Sequence, residues 1–294
     1  MSKTVFVTGA TGLVGSRLVT ALRERGDNVL ALSRRSGPDT IEGDPSVPGP
    51  WLDLLDSCDA VVHLAGENIF AKRWSTSFMK RIRDSRVAST ELISGRLAKS
   101  GNKSVAFISC SAIGYYGDPK TDFMASVCHE WEAAADRVRF AGNRVVHPRL
   151  GIVLDPKGGA MTNLVRPYRF FVGGRIGSGK QMVSWIHHED LTRLLMFAID
   201  SPKLLGPVNA TAPHPVSNDE LGRAIGKVLG RPHWLPVPRW ALRIALGKIA
   251  DTLVGGTCAL PKAALEAGFE FRYPRIVEAL QELLGKSISS NRNA

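Results

Sequence analysis

Long apolar runs are missing from this 294-residue chain. Lys, Arg, Asp or Gly interrupts each one before it reaches the roughly 20 residues that a bilayer-spanning helix needs, so no transmembrane segment is expected. The opening Met1-Ser2-Lys3 leads directly into a β-rich run, without the basic start, apolar core and small-residue cleavage site of a secretory signal. The expected compartment is the cytoplasm. Cysteine is scarce: Cys58, Cys110, Cys128 and Cys258 lack paired spacing, which argues against a disulfide framework and a zinc site and predicts buried thiols. Acid is in deficit, with 27 acidic residues against 38 basic ones and a net charge of +11. Such a balance attracts polyanions. The basic residues, however, recur among apolar ones in segments such as 72–86 and 239–248, the pattern of a solvated surface. There is no nucleic-acid motif and no internal repeat. Neither a specific nucleic acid nor a membrane is expected as a partner, and the oligomeric state is left open.

What is present is an apolar content of 44% and a charged content of 22%, enough to bury a large core. Up to about residue 150, short β-branched runs alternate with longer amphipathic segments, the signature of a parallel sheet with crossover helices. Strands are predicted at residues 4–8, 28–33, 60–64, 104–109 and 144–146, and helices at 13–25, 75–99 and 122–141. Residues 35–50, rich in Gly, Pro, Asp and Ser, read as a surface loop. Further on, Gly158-Gly159, Gly173-Gly174 and Gly177-Ser178-Gly179 predict loops and short strands on the substrate side. From Pro215 to Gly285 helical periodicity returns between prolines. The expected fold is therefore α/β: a Rossmann-type, doubly wound parallel sheet with a smaller, mostly helical C-terminal cap. Its expected divisions are a dinucleotide-binding domain at 1–155 with later returns to the sheet, a substrate-side and cap region at 156–285, and a disordered tail at 286–294.

The chemistry begins at Gly9-Ala10-Thr11-Gly12-Leu13-Val14-Gly15, which follows a strand and opens a helix. In that context Gly9 permits the tight turn, Gly12 lets backbone N–H groups approach a pyrophosphate, and Gly15 lets the helix pack close to the strand. The helix N-terminus adds partial positive charge. At the end of the second strand, where an acid would bind the ribose 2′-OH of NAD, the chain reads Leu32-Ser33-Arg34-Arg35-Ser36. Arginine at that place suits the 2′-phosphate of NADP, so NADP(H) is the expected cofactor.

With these residues, and with His63-Leu64-Ala65-Gly66-Glu67-Asn68 and Ser109-Cys110-Ser111-Ala112-Ile113-Gly114-Tyr115-Tyr116-Gly117, the chain resembles the extended short-chain dehydrogenase/reductases. More narrowly it resembles their epimerase-like subgroup with a C-terminal module of unknown function, which includes cell-division-inhibitor homologues. Arg73-Trp74, Ser85-Arg86, Trp131-Glu132, Ser184-Trp185-Ile186-His187 and Gly268-Phe269-Glu270-Phe271 extend the resemblance over nearly the whole chain. It implies cofactor contacts from Gly9, Thr11, Gly12, Leu13, Val14, Gly15, Ser33, Arg34, Leu64, Ala65, Gly66, Arg86 and Val153. Arg81 is a further candidate, although it is offset from Arg86 by about 140° on a helix.

The wider family pairs a Ser with a Tyr-x-x-x-Lys, whose Lys lowers the pKa of the proton-exchanging Tyr. Ser111 stands at the serine position. The helix after it contains neither Tyr nor Lys. Tyr116-Gly117-Asp118-Pro119-Lys120 satisfies the spacing, but Gly and Pro make it a loop without helical alignment. The catalytic candidates are thus Ser111, Tyr115 and Tyr116. His187-His188-Glu189-Asp190 offers ligand types whose directions diverge, so no metal is expected, and Asp190 is expected to cap or start a helix. His63 reads as a satisfied core or cofactor-adjacent histidine, and Trp234 and Trp240 as cap core. Two functions stay open: an NADP-dependent oxidoreductase or epimerase acting on a small, nucleotide-linked substrate, and a catalytically silent NADP-binding regulatory protein.

Overall fold

A computed structural model describes residues 2–102, 104–238 and 256–290. Trp240 and the basic segment 239–248 lie outside them. The chain divides into two compact units, Met1–Arg149 with Thr192–Val208, and Leu150–Leu191 with Asn209–Ala294. The expected boundary near 155 therefore falls earlier, at the end of a long strand.

The first unit is built on β1 (Thr4–Thr8), β2 (Asn28–Ser33), β3 (Ile41–Glu42), β4 (Ala60–His63), β5 (Ala106–Ser109), β6 (Ser111–Ala112) and β7 (Arg144–Leu150). With β11 (Gly206–Ala210), they form one sheet in the order β11-β7-β5-β4-β1-β2-β3, β6 pairing with β7. The β1–β2, β1–β4, β4–β5, β5–β7 and β2–β3 pairs are all parallel. Parallel strands need crossovers, and α1 (Leu13–Glu24), α2 (Thr76–Lys99) and α3 (Phe123–Phe140) supply them. Helix α1 buries Gly15, Leu18, Val19 and Leu22 at helical spacing. Ser75 Oγ caps α2 by accepting from Phe78 N, and Asp122 caps α3 by accepting from Met124 N and Ala125 N. The core under the sheet gathers Phe6, Leu32, Trp51, Val61, Ile93, Phe107 and Val138.

Most predicted elements of this unit match within a few residues. Two differ. The loop predicted at 35–50 contributes β3, held to β2 by Leu32↔Ile41 and Ser33↔Glu42. The strand predicted at 144–146 runs to Leu150, because His147 and Arg149, though polar, are buried with partners inside the unit.

In the second unit β8 (Ile152–Leu154) pairs in parallel with β10 (Trp185–His187), and β9 (Met182–Val183) pairs antiparallel with β12 (Val216–Ser217). Helices α4 (Ala160–Arg169), α6 (Asn218–Leu229) and α8 (Ile276–Ser290), with the short α7 (Lys262–Glu266), surround a core of Leu154, Met161, Val165, Tyr168, Trp185, Leu221, Ile225 and Leu280. Helix α5 (His188–Asp200) follows β10. The glycine-rich stretch predicted as loops thus holds α4: Met161, Leu164, Val165 and Tyr168 recur at helical spacing between the glycine signals. The backbone of 286–290, predicted to be disordered, continues α8 to Ser290, since each residue added to a formed helix gains a hydrogen bond. Cys58, Cys110 and Cys128 are buried as predicted; Cys258 is exposed. Among the described residues no helix is long and apolar enough to cross a membrane.

Candidate active site

All the predicted site residues except Val153 lie in the first unit; Val153 is on β8 in the second. Gly9 adopts φ +66, a left-handed conformation that glycine tolerates. Methyl groups at the loop glycines would meet backbone. At Gly9 a Cβ would sit 2.8 Å from Ala65 N, and at Gly15 only 2.1 Å from Gly9 O. Gly12 is the N-cap of α1, makes no side-chain cap, and is followed by a first turn without acid. The amides of Leu13, Val14 and Gly15 at this helix start suit an anion. A dinucleotide pyrophosphate fits a cradle that a Cβ would fill and whose N-terminus no side chain covers.

The floor of this loop is fixed by a buried chain of hydroxyls and imidazole. Thr8 Oγ1 accepts from Leu64 N and Ala65 N, both at 3.3 Å, and lies 2.6 Å from His63 Nδ1. With two amides donating to it, the hydroxyl donates its own proton to Nδ1. Nε2–H then donates to Ser89 Oγ at 3.0 Å, and Ser89 donates to backbone carbonyls of α2. His63 is therefore a buried histidine with both ring nitrogens satisfied, the core reading of its place in the strand. Burial, aided by the Arg86 charge, lowers its pKa to about 3. An unfolded chain would take up this proton near pH 6.5 and the folded one would not. Stability is thus complete above about pH 6.5 and falls toward pH 3, by about 1.4 kcal/mol per pH unit. In urea unfolding between about pH 4 and 6, the His63→Asn variant should show a pH slope smaller by that amount. An unchanged slope would refute the assignment.

Ser33 is buried, and its Oγ accepts from Arg35 N at 3.2 Å; Arg34 and Arg35 are exposed just beyond β2. The β2–β3 register sets Glu42 beside Ser33, a carboxylate the sequence placed in a loop. Arg86 does not project outward. It donates from Nη2 to Glu67 O and from Nη1 to Ile82 O, each at 3.1 Å, with its guanidinium under Gly66. It supports the turn after β4. Arg81 is exposed, its guanidinium 5.2 Å from the Phe78 ring.

Near Ser111 the structure assembles a group that the sequence did not reveal. Ser111 Oγ is buried beside the Cys128 thiol. Behind it, α3 places Cys128 and Glu132 four residues apart, the spacing at which the wider family has Tyr and Lys. Burial pushes the Cys128 thiol up to about 11, so it is protonated at neutral pH. Glu132 and Arg149, 7% and 6% exposed, form a bidentate pair, Nε to Oε1 and Nη2 to Oε2, each at 2.8 Å. Burial pulls the Arg149 pKa down, but its hydrogen bonds to Glu132 and Tyr116 outweigh that and raise it, keeping the guanidinium charged. The guanidinium carbon lies 3.5 Å from the Tyr115 ring centroid and 5.0 Å from that of Tyr116. His129 stacks on Tyr115 at 3.9 Å and 15°, its Nε2–H donating to Tyr115 O at 3.1 Å. Two groups that close must occupy opposite faces of the Tyr115 ring. Tyr116 is 50% exposed. Lys120 sits in an exposed turn, its amide donating to Asp118 Oδ1, as the Gly and Pro around it predict.

In the second unit, potential ligand atoms of His187, His188 and Glu282 lie within 4.8 Å of one another. The hydrogen bonds oppose a metal there. His187 Nδ1 accepts from Glu189 N at 3.1 Å, so the proton resides on Nε2, which donates to Glu282 Oε2 at 3.2 Å. A metal-bound imidazole has the reverse arrangement, with its bare nitrogen on the ion. Asp190 lies in the first turn of α5, and its carboxylate accepts from Arg272 N and Tyr273 N, both at 2.8 Å. It ties the chain after Gly268 in place, in addition to beginning a helix.

Residues 5–132 match the model of the NAD dependent epimerase/dehydratase family, and residues 237–283 match a domain of unknown function, DUF1731. An epimerase family protein of Mycobacterium leprae is 39% identical over 94% of both chains. YfhF of Bacillus subtilis, also called an epimerase family protein, is 35% identical over 95% of this chain and 97% of its own. Human epimerase family protein SDR39U1, crystallised with NADPH, superposes with a TM-score of 0.87 at 32% identity over 96% of this chain and 99% of that one. A nucleoside-diphosphate sugar epimerase from Corynebacterium glutamicum gives a TM-score of 0.78 at 32% identity, covering all of this chain and 61% of that one. The glycine cradle, the parallel sheet and relatives matched along almost their full length place this chain in the epimerase family, in the group that carries the DUF1731 domain.

Proposed function

We propose that the protein is an NADP(H)-dependent oxidoreductase or epimerase acting on a small, nucleotide-linked substrate. The observation that carries the reading is the cradle of Gly9, Gly12 and Gly15 at an uncapped helix start, with Arg34 beyond the adjacent strand. NADPH in the human relative supports the cofactor, and the nucleoside-diphosphate sugar epimerase from C. glutamicum supports the substrate class. When bound, the cofactor supplies or accepts hydride. The amides of Leu13, Val14 and Gly15 hold the pyrophosphate, Leu64, Ala65 and Gly66 line the loop beside it, and Ser33 with Arg34 holds the 2′-phosphate. Ser111 supplies a hydroxyl to orient a substrate oxygen. Of the two tyrosines, Tyr115 is locked between Arg149 and His129, whereas Tyr116 is half-exposed, and its hydroxyl, which accepts from Arg149, keeps its own proton to donate to a substrate.

Arg34 tests this reading. A charge-assisted hydrogen bond contributes roughly 1.5–3 kcal/mol, and about 1.4 kcal/mol is tenfold. Arg34→Ala should therefore weaken NADPH binding about ten- to a hundredfold and leave NADH nearly unchanged. Titration calorimetry with both cofactors reads this directly, and equal affinity of the unaltered protein for NADH and NADPH would defeat it. Cys128 and Glu132 at the Tyr–Lys spacing favour a second reading, a silent NADP-binding protein. Stereospecific loss of tritium from labelled NADPH during incubation with cell extract, abolished by Tyr116→Phe, would decide for the enzyme.

A further inference from the structure

We propose that the second unit carries a docking surface for an anionic lipid headgroup layer, built from the Phe170–Val172 and Trp234–Leu235 loops and the arginines around them. The charge distribution points there first. Residues 156–188 contain five basic side chains and no acidic one, and residues 221–250 contain six and none; the remainder of the chain is balanced. The whole excess of +11 thus comes from two stretches that both belong to the second unit.

The same stretches display large apolar side chains to solvent. Phe170 is 67% and Trp234 64% exposed, and Phe171, Val172 and Leu235 are exposed as well. The two loops are fastened together. Trp234 N and Leu235 N donate to Gly173 O, Val237 N donates to Arg175 O, and Trp234 Nε1 donates to Phe171 O at 2.9 Å. Phe171 holds φ +62, a conformation disfavoured for a bulky residue. That conformation belongs to the turn that closes α4, where Phe171 N donates to Tyr168 O and Val172 N to Pro167 O, so the turn itself presents the ring. Arg166 and Arg169 on α4, with Arg175 and Arg231, are exposed around the apolar tip, and the Arg231 guanidinium lies 4.2 Å from the Phe171 ring centroid.

Aromatic and aliphatic side chains ringed by arginine match the boundary between headgroups and acyl chains of an anionic bilayer. A single-stranded nucleic acid fits less well. Base stacking needs a run of open aromatic faces; Phe170 and Trp234 are exposed rings, but Arg231 lies against Phe171, and Val172 and Leu235 have no ring. No membrane partner was expected from the sequence because it lacks a long apolar run; that among the described residues no helix is long and apolar enough to cross a membrane does not bear on lying on one.

The test is co-sedimentation of the full chain with vesicles of phosphatidylcholine containing about 30% phosphatidylglycerol, at about 0.1 M salt, where charges within about 10 Å still interact. Binding should exceed that to phosphatidylcholine alone at least tenfold. Phe170→Ser with Phe171→Asn should lower it about tenfold or more; Asn tolerates the left-handed backbone, so the fold is kept. Arg166→Gln with Arg169→Gln should lower it about 25-fold, near fivefold for each charge, and flatten its salt dependence. NADPH affinity, measured in parallel, should be unchanged in both variants. The proposal fails if the anionic vesicles bind no better than neutral ones. It also fails if the phenylalanine variant binds as well as the unaltered protein, or if a single-stranded oligonucleotide binds more tightly than the vesicles.

Discussion

Replacing Glu132 by Ala is expected to destabilise the protein by about 3–5 kcal/mol, because it leaves the Arg149 guanidinium charged, buried and without its carboxylate. The attraction within the pair is not the source of that figure, since desolvation offsets much of it. The cost lies in the orphaned ion. Substituting both members, Glu132→Leu with Arg149→Leu, should therefore recover most of the lost stability while removing the cation that faces Tyr115 and Tyr116. Urea unfolding of the two variants separates these effects. A loss below about 1 kcal/mol in Glu132→Ala would mean that water reaches the pair. If the double variant is stable yet cannot turn over, the pair serves the site; if it is stable and active, the pair serves the fold.

Gly15→Ala should abolish measurable NADPH binding, a loss of at least about a hundredfold, and lower stability by about 1–3 kcal/mol. The added Cβ would lie 2.1 Å from Gly9 O and 2.8 Å from Gly9 C, atoms of the loop that would hold the pyrophosphate. Backbone of that loop cannot move aside without losing its amide geometry. Gly12→Ala, with its nearest contact at 3.1 Å, should be milder, and Gly95→Ala near the C-terminal end of α2, with nothing within 4 Å, should leave binding intact and slightly raise helix stability. Calorimetric titration with NADPH across the three variants gives the order. Binding by Gly15→Ala within tenfold of the unaltered protein would show that the cofactor lies elsewhere.

The glycine loop, the parallel sheet and the capped helices α2 and α3 were legible in the sequence because each is set by interactions close along the chain. A glycine where φ is positive, an alternation of β-branched and amphipathic segments, and a Ser or Asp before an apolar periodicity are all local signals. Helix α4 was obscured because glycines on both sides outweighed its own periodicity. The tyrosine pair shows where locality ends. Tyr115 and Tyr116 are neighbours of equal standing in sequence, and they separate only when Arg149, 34 positions after Tyr115, and His129 from α3 cover the two faces of one ring.

The chain's own residues determined the dinucleotide cradle and the arginine beyond the second strand, since both are read from a few consecutive positions. Only tertiary structure decided what surrounds Ser111. Cys128-x-x-x-Glu132 has the spacing of the missing Tyr–Lys pair, but its residue types gave no reason to look there. The partner of Glu132 comes from β7, and nothing in the intervening residues announces the pairing. A buried charge is tolerated only where partners meet it, and for Arg149 the partner is a carboxylate. That meeting is fixed by how α3 packs beside the sheet, a relation no local pattern encodes.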